Sequence, residues 1–124
     1  KGALRAFVAA ATWSGRVTCL SVTATAISRL WSVDCWAPIY ARPLVRGSWG
    51  LGGPGSVLVV FGAVDGAVRC LNGADGSEVW RAYTEMRKPI FCECRHIDIG
   101  TDSIVVGSHD GCVSCFREND GTAQ

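Results

Sequence analysis

Short apolar runs separated by turn residues make up most of this chain. Residues 57–64, VLVVFGAV, form one such run, rich in β-branched side chains, and Asp65-Gly66 follows it directly. Runs of this length between turn residues are typical of β-strands. We expect residues 67–72 to return as the second strand of a hairpin, because Asp and Gly tolerate the positive φ of primed two-residue turns.

The segments that follow continue the same alternation. Residues 72–76, NGADG, predict a second turn, and residues 77–84, SEVWRAYT, predict a third strand. Residues 88–97 have a proline near their start and are expected to open the next sheet. No segment has sustained helical periodicity with caps, so the chain is predicted to be all-β.

An internal repeat supports this prediction. The stretches SGRVTCL, DGAVRCL and DGCVSCF share one pattern, and they place Gly15, Gly66 and Gly111 at intervals of 51 and 45 residues. Asp65 and Asp110 directly precede two of these glycines. A pattern that recurs at such an interval indicates a repeated structural unit rather than a single site.

Other landmarks keep a similar spacing. Trp31 and Trp80 lie 49 residues apart, and residues 37–43, APIYARP, match residues 88–94, KPIFCEC. The difference between the two repeat lengths falls around a glycine-rich loop at residues 46–55, as expected for a variable connection. The predicted units are approximately 1–35, 36–86 and 87–124.

A unit of about four short antiparallel strands repeated at this interval is the signature of a β-propeller blade. The sequence therefore predicts a β-propeller of four-stranded antiparallel blades that is incomplete, with about two and a half blades in 124 residues. Because a closed propeller takes about four to eight blades, we expect the chain to be the C-terminal fragment of a larger propeller.

These motifs resemble the quinoprotein-type repeat, which is named after pyrroloquinoline quinone (PQQ). VFGAVDGAVRCLNGADGSEVW is similar to the repeat's apolar strand, Asp-Gly turn, second strand and closing tryptophan. In that resemblance Trp31 and Trp80 are the docking tryptophans that pack between blades. The cysteines Cys19, Cys70 and Cys115, with the sequences GSHDG and KPIF, are similar to the C-terminal repeats of the β-alanine-activating enzymes of the acyl-CoA synthetase family.

The narrower resemblance implies a non-catalytic segment with an interaction or regulatory role. It would be the C-terminal part of an ATP-dependent, AMP-forming acid-activating ligase, and its partners would be upstream domains of the same polypeptide or other proteins. Two alternatives stay open, namely a fragment of a PQQ-dependent dehydrogenase and a freestanding propeller scaffold for protein–protein interaction.

The net charge and the number of cysteines restrict the expected partners and the expected cellular location. The formal net charge is +1 and no basic stripe is present, so neither nucleic acid nor a membrane surface is an expected partner. Seven cysteines, an odd number, favour a reducing, cytoplasmic location over a disulfide framework. Residues 1–15 have a loose likeness to a signal peptide, but the repeat assigns part of this stretch to a strand.

The chemistry-bearing side chains are expected to be structural. A metal or redox site could be drawn from Cys92, Cys94, His96, His109, Cys112 and Cys115. However, Cys112 and Cys115 are three residues apart on a predicted strand, where side chains point to opposite faces. The adjacent cysteine pair of the PQQ dehydrogenases and the acidic loop of an EF-hand are both absent from the sequence. We therefore predict no catalytic residue, cofactor or metal, and we consider Trp49 the best candidate for an exposed contact residue.

Overall fold

The computed structural model describes residues 6–47, 57–109 and 111–124. These residues contain ten β-strands in three antiparallel sheets and no α-helix, so the predicted all-β, propeller-type fold is confirmed. The strands are β1 (Ala6–Ala11), β2 (Arg16–Val22), β3 (Ile27–Asp34), β4 (Leu44–Arg46), β5 (Leu58–Gly62), β6 (Ala67–Asn72), β7 (Glu78–Tyr83), β8 (Arg95–Asp98), β9 (Asp102–Gly107) and β10 (Val113–Arg117).

The three sheets follow one another along the chain. Sheet 1 has the order β1-β2-β3, sheet 2 has the order β4-β5-β6-β7, and sheet 3 has the order β8-β9-β10. Among the described residues, four strands are therefore complete only in sheet 2. After β10 the chain turns back, Ala123 bridges Phe116, and the Gln124 N–H donates to the Cys115 carbonyl at 2.9 Å. The last residues thus lie where a fourth strand of sheet 3 would begin.

One hydrophobic core lies between sheets 1 and 2, and a second lies between sheets 2 and 3. Val59 and Phe61 lie in the core between sheets 1 and 2, whereas Val60 and Val68 lie in the core between sheets 2 and 3. Neighbouring residues of a strand point to opposite faces. Because sheet 2 is covered on both faces, β5 is a continuous apolar run rather than an alternating one.

The hairpin between β5 and β6 has a different turn from the predicted one. Gly66 has φ +81°, but Asp65 is not in the left-handed region. The Ala63 N–H donates to Ala67 at 3.1 Å and the Gly66 N–H donates to Ala63 at 3.1 Å, which closes a three-residue loop with a glycine bulge. Asp65 instead accepts a hydrogen bond from the Ala67 N–H at 3.1 Å.

The connection into sheet 3 also differs from the prediction. A single 3-10 turn spans Glu85–Arg87, and of the predicted strand at residues 88–97 only the end from Arg95 onward is extended in a sheet. The backbone of the earlier part bonds to turns instead, because the His109 N–H donates to Pro89 at 2.8 Å and the Ile90 N–H donates to Ala63 at 3.2 Å. The described part of the chain holds no helix with the length and apolar character needed to cross a membrane.

Candidate functional site

Two tryptophans join neighbouring sheets by the same geometry. The Trp31 indole N–H donates to the Gly73 carbonyl of sheet 2 at 2.8 Å, and the Trp80 indole N–H donates to the Glu118 carbonyl after β10 at 2.7 Å. The two acceptors lie 45 residues apart, which is also the interval between Gly66 and Gly111. Each ring also lies against a left-handed glycine of the next unit, Gly76 for the first and Gly121 for the second.

The repeat glycines occupy equivalent turns. Gly15, Gly66 and Gly111 all have positive φ, at +93°, +81° and +85°. A Cβ on Gly66 would lie 2.4 Å from the backbone of Arg87, and one on Gly15 would lie 2.6 Å from the Ala37 carbonyl oxygen. A Cβ on Gly111 would meet no atom of the described residues within 4 Å. Asp110 and Trp49 lie outside the described residues.

Arg69 is the most buried of the ion-paired side chains in the described residues, and its partner is Asp65. The guanidinium donates to Oδ1 at 3.2 Å and to Oδ2 at 2.7 Å, and its side chain is 4% exposed against 37% for the aspartate. The Arg69 Nε has no hydrogen-bond partner among the described residues. Partial burial alone raises the pKa of Asp65, but the hydrogen bonds from Arg69 and Ala67 and the arginine charge hold this pKa below its usual value.

Two other turn acids act as local caps. Asp75 accepts hydrogen bonds from the Ser77 N–H at 2.9 Å and the Ser77 hydroxyl at 2.7 Å, and Asp120 accepts one from the Thr122 N–H at 2.9 Å. Bonds to the charged form lower the pKa of both carboxyls. These acids therefore stabilise turns through their own hydrogen bonds.

The cysteines of the repeat position have different surroundings. Cys19 and Cys70 lie in the two cores, and burial raises the pKa of each thiol to about 12. Cys115 is only partly buried, and its Sγ lies 3.5 Å from the Gln124 side-chain oxygen. Burial likewise raises the pKa of the Cys94 thiol to about 12. Thiols with a raised pKa carry little thiolate at neutral pH and are poor nucleophiles or metal ligands.

The candidate metal ligands do not converge where the structure describes them. No three His, Cys, Asp or Glu side chains of residues 6–47, 57–109 and 111–124 form a group able to hold a metal ion. His96 pairs with Asp102 at 2.8 Å, whereas the Cys92 thiol donates to the Gly107 carbonyl at 3.1 Å.

An exposed row of rings crosses one end of the three sheets, and we call it the aromatic stripe. Its members are Trp13, Tyr40, Phe91 and His109, whose successive ring centroids lie 5.3, 5.3 and 5.4 Å apart. Trp13 is 73% exposed, Tyr40 44% and Phe91 46%. Exposed aromatic rings in contact with one another are typical of interaction sites.

Turns and inter-sheet loops hold the stripe in place. Trp13 precedes Gly15 by two residues, and His109 precedes Gly111 by two. Tyr40 and Phe91 lie 51 residues apart in the loops that lead into sheets 2 and 3. Each loop bonds to the turn of its next sheet, since Val64 and His109 donate their N–H groups to Pro38 and Pro89 at 3.0 and 2.8 Å.

The loops that carry the stripe begin with left-handed backbone. Trp36 has φ +62° and Arg87 has φ +50°, and these two residues also lie 51 positions apart. Left-handed backbone is uncommon for residues other than glycine and is often found where a loop is shaped for a purpose. The equivalent strain in two loops indicates that their shape belongs to the repeat.

Sequence reasoning missed the aromatic stripe, although its signal was present. The match between APIYARP and KPIFCEC already placed Tyr40 and Phe91 at one repeat position. The repeat interval also aligned Trp13 with His109 through the intervening unit. The contact between these two pairs depends on how the sheets stack, which the sequence does not state.

Comparison with known proteins identifies structures with a similar fold. No family model matches the chain, and no curated protein matches it. Among solved structures, BamB from Moraxella catarrhalis superposes with a TM-score of 0.68 at 16% identity, over 99% of this chain and 36% of BamB. A europium-containing methanol dehydrogenase superposes with a TM-score of 0.64 at 14% identity, over 99% of this chain and 22% of that enzyme.

A third solved structure agrees with these two. The quinohemoprotein alcohol dehydrogenase from Comamonas testosteroni superposes with a TM-score of 0.59 at 19% identity, over 98% of this chain and 21% of the enzyme. The chain thus spans about a third of the length of BamB and about a fifth of each dehydrogenase. At these identities the likeness shows the fold alone. The fold of this chain is therefore that of a partial β-propeller, similar to the matched parts of these three structures.

Proposed function

We propose that this segment is a non-catalytic interaction scaffold and that the aromatic stripe is its contact surface. The observation that carries the proposal is the set of three successive ring contacts, at 5.3, 5.3 and 5.4 Å, among exposed side chains of turns and loops. Rings on loops held by a rigid sheet scaffold are well suited to bind a partner.

The engagement of the chemically reactive groups supports this role. The Asp65 carboxylate binds Arg69 and the Ala67 N–H, and the thiols of Cys19 and Cys70 are buried with a pKa of about 12. A catalytic acid or nucleophile needs a free group with a suitable pKa at a cleft. These side chains stabilise turns and cores instead.

We further propose that the complete polypeptide is an ATP-dependent acid-activating ligase related to the β-alanine-activating enzymes. The support is the sequence resemblance of the three cysteine positions and of GSHDG and KPIF. The proposal places the protein in the cytoplasm, and its partners are upstream domains of the same polypeptide or other proteins. Neither nucleic acid nor a membrane has a role in it.

A PQQ-dependent dehydrogenase is the second candidate. The observation that favours it is the likeness to two dehydrogenases, with TM-scores of 0.64 and 0.59. BamB superposes with a TM-score of 0.68, so the fold likeness is equally compatible with a freestanding scaffold. The coding sequence upstream of Lys1 separates the three. Adenylation and carrier domains would support the ligase, and an adjacent cysteine pair with further blades would support the dehydrogenase. If the upstream sequence encodes neither set, the freestanding scaffold is favoured.

Two activity assays on the complete polypeptide test the non-catalytic role. We expect ATP–pyrophosphate exchange with β-alanine to stay within about twofold when residues 6–124 are deleted, because the scaffold contributes nothing to the chemical step. We expect no dye reduction with added PQQ, calcium and an alcohol. A large fall in exchange, or PQQ-dependent dye reduction that the deletion abolishes, would overturn the proposal.

A further inference from the structure

We propose that the aromatic stripe binds a proline-rich peptide in the polyproline II conformation, an inference that deepens the proposed scaffold function and rests on it. Polyproline II segments dock into grooves lined by aromatic rings, and they lose little conformational entropy because they are already extended. At ~3.1 Å per residue, a segment of about five residues spans a row of four rings with these separations.

The stripe borders two clefts of related position. One, of about 310 Å³, is lined by Trp13, Tyr40 and the small side chains of β1. The other, of about 220 Å³, is lined by Phe91, His109 and the end of β9. Two clefts lined by rings offer one site for each of two successive proline-containing turns of the peptide.

Unused hydrogen-bond donors favour a peptide that supplies carbonyl groups. The Trp13 indole N–H and the Tyr40 hydroxyl have no hydrogen-bond partner within residues 6–47, 57–109 and 111–124. Proline has no N–H, so a proline-rich peptide presents mainly carbonyl acceptors. Tyrosine and tryptophan at the edge of an apolar surface are well placed to donate to them.

The charge beside the stripe favours a neutral ligand. Arg42 and Glu93, which lie two residues beyond Tyr40 and Phe91, form an ion pair with a separation of 3.2 Å and cancel each other. Single-stranded nucleic acid also stacks on aromatic rings, but it needs a positively charged groove along its backbone. A paired arginine does not supply that groove.

Further propeller sheets would leave the stripe uncovered. Neighbouring sheets bury their faces, with Val59 and Phe61 in one core and Ile104 and Val106 in the other. The stripe lies on the turns and loops at one end of these sheets instead. Added sheets would therefore extend this end of the fold rather than cover its rings.

The test titrates the complete polypeptide with decaproline by isothermal titration calorimetry. A glycine–serine decapeptide and a decamer of thymidylate serve as reference ligands. We expect saturable binding of decaproline and much weaker binding of both references. Absence of decaproline binding at millimolar concentration, equal binding of the glycine–serine peptide, or tighter binding of the thymidylate would each overturn the proposal.

Two substitutions locate the binding. Trp13→Ala should weaken decaproline binding by about tenfold, as expected for the loss of a large exposed aromatic contact. Tyr40→Phe, which keeps the ring and removes the donor, should weaken it by about threefold. Ile27→Ala is the control, because Ile27 is 70% exposed and lies in β3, outside the stripe and the loops that carry it. Equal loss in Trp13→Ala and Ile27→Ala would contradict the assignment.

The outcome separates this inference from the function on which it rests. If decaproline does not bind while the deletion leaves exchange unchanged, the peptide class is wrong and the scaffold role stands. If the complete polypeptide shows PQQ-dependent oxidation that requires this segment, the scaffold role itself is wrong, whatever the peptide does. Circular dichroism of each variant confirms that the substituted proteins are folded before titration.

Discussion

Asp65 has two structural roles, and both depend on its charge. Its carboxylate accepts a hydrogen bond from the Ala67 N–H at the start of β6, and it accepts both hydrogen bonds that the buried Arg69 guanidinium donates. Removal of one partner of a buried ion pair leaves an uncompensated charge, which is costly because the interior solvates it poorly. A substitution of Asp65 is therefore expected to destabilise sheet 2, because it leaves the buried Arg69 charge without a partner.

We predict that Asp65→Ser lowers the free energy of unfolding by about 2 kcal/mol, less than the ~3–5 kcal/mol of a fully buried pair because Asp65 is partly exposed. The double variant Asp65→Ser/Arg69→Met should recover more than half of this loss, since it removes the stranded guanidinium. Serine already stands at the equivalent position, Ser14, of the first unit. Urea unfolding followed by circular dichroism measures both, and a double variant no better than the single one would contradict the prediction.

The contribution of the Asp65 carboxylate to the free energy of unfolding should depend on pH. The folded-state pKa of Asp65 is lowered, so the unfolded chain binds more protons as the pH falls. The stability difference between the native protein and Asp65→Ser is therefore complete above the unfolded pKa of about 3.9 and is lost as the pH falls through the lower folded value. Unfolding curves at pH 7, 5, 4 and 3 measure this, and a constant difference would contradict it.

Gly66 and Gly111 occupy the same repeat position but have different surroundings. Both have positive φ, yet only Gly66 lies directly against the Arg87 backbone. We predict that Gly111→Ala costs about 1 kcal/mol, which is the conformational penalty alone. Gly66→Ala should cost about 3 kcal/mol, because the backbone must also move. Equal losses of unfolding free energy in denaturant titrations would show that the close contact has no effect.

At the scale of the strands, local pattern was sufficient where one strand follows another through a tight turn. Residues 57–64, 67–72 and 77–84 were predicted as strands and contain β5, β6 and β7. The pattern failed at residues 88–94, where Ile90 and Cys94 are buried in a core but belong to no strand. Burial against a neighbouring sheet and membership of a strand produce the same apolar signal in the sequence.

The candidate site was less predictable than the fold. Residues of the turns were visible as a repeat, whereas the Asp65–Arg69 pair and the aromatic stripe each join side chains whose proximity follows from the folded backbone. The prediction for Trp49 falls outside the described residues and stays a prediction. An alignment of the units reveals equivalent residues, but only the stacking of the sheets reveals which of them touch.

The contact between sheets 1 and 2 leads to a further prediction at the scale of the strands and sheets. The Trp31 indole donates a buried hydrogen bond to the Gly73 carbonyl, and phenylalanine would leave that carbonyl without its partner. We predict that Trp31→Phe lowers the free energy of unfolding by about 2 kcal/mol. Trp36→Phe, at an exposed position, should change it by less than about 0.5 kcal/mol. A similar effect of both substitutions in urea titrations would show that this junction does not stabilise the fold.

Across the whole molecule, sheet 1 and sheet 3 each have one outer face without a neighbouring sheet in the described part of the chain. Side chains on these faces are exposed, whereas the equivalent side chains at the two junctions between sheets are buried. Val59 and Ile104 are fully buried at the two junctions, whereas Val8, at the same repeat position in sheet 1, is 40% exposed. On the opposite side, Val68 is fully buried and its equivalent Val113 in sheet 3 is 73% exposed. In a propeller such faces are covered by neighbouring sheets, because repeat units gain their stability by stacking.

We therefore predict that the isolated 124-residue chain self-associates through these faces. Val113→Lys should raise the monomer fraction at micromolar concentration, measured by size-exclusion chromatography with light scattering, because a desolvated lysine at a stacking face is unfavourable. Met86→Lys is the matched control, since Met86 is equally exposed but lies in the 3-10 turn rather than on a sheet face. If the native sequence is already monomeric and unfolds cooperatively, sheets 1 and 3 need no neighbour. If Met86→Lys is as effective as Val113→Lys, association depends on general hydrophobicity and not on the propeller's stacking surfaces.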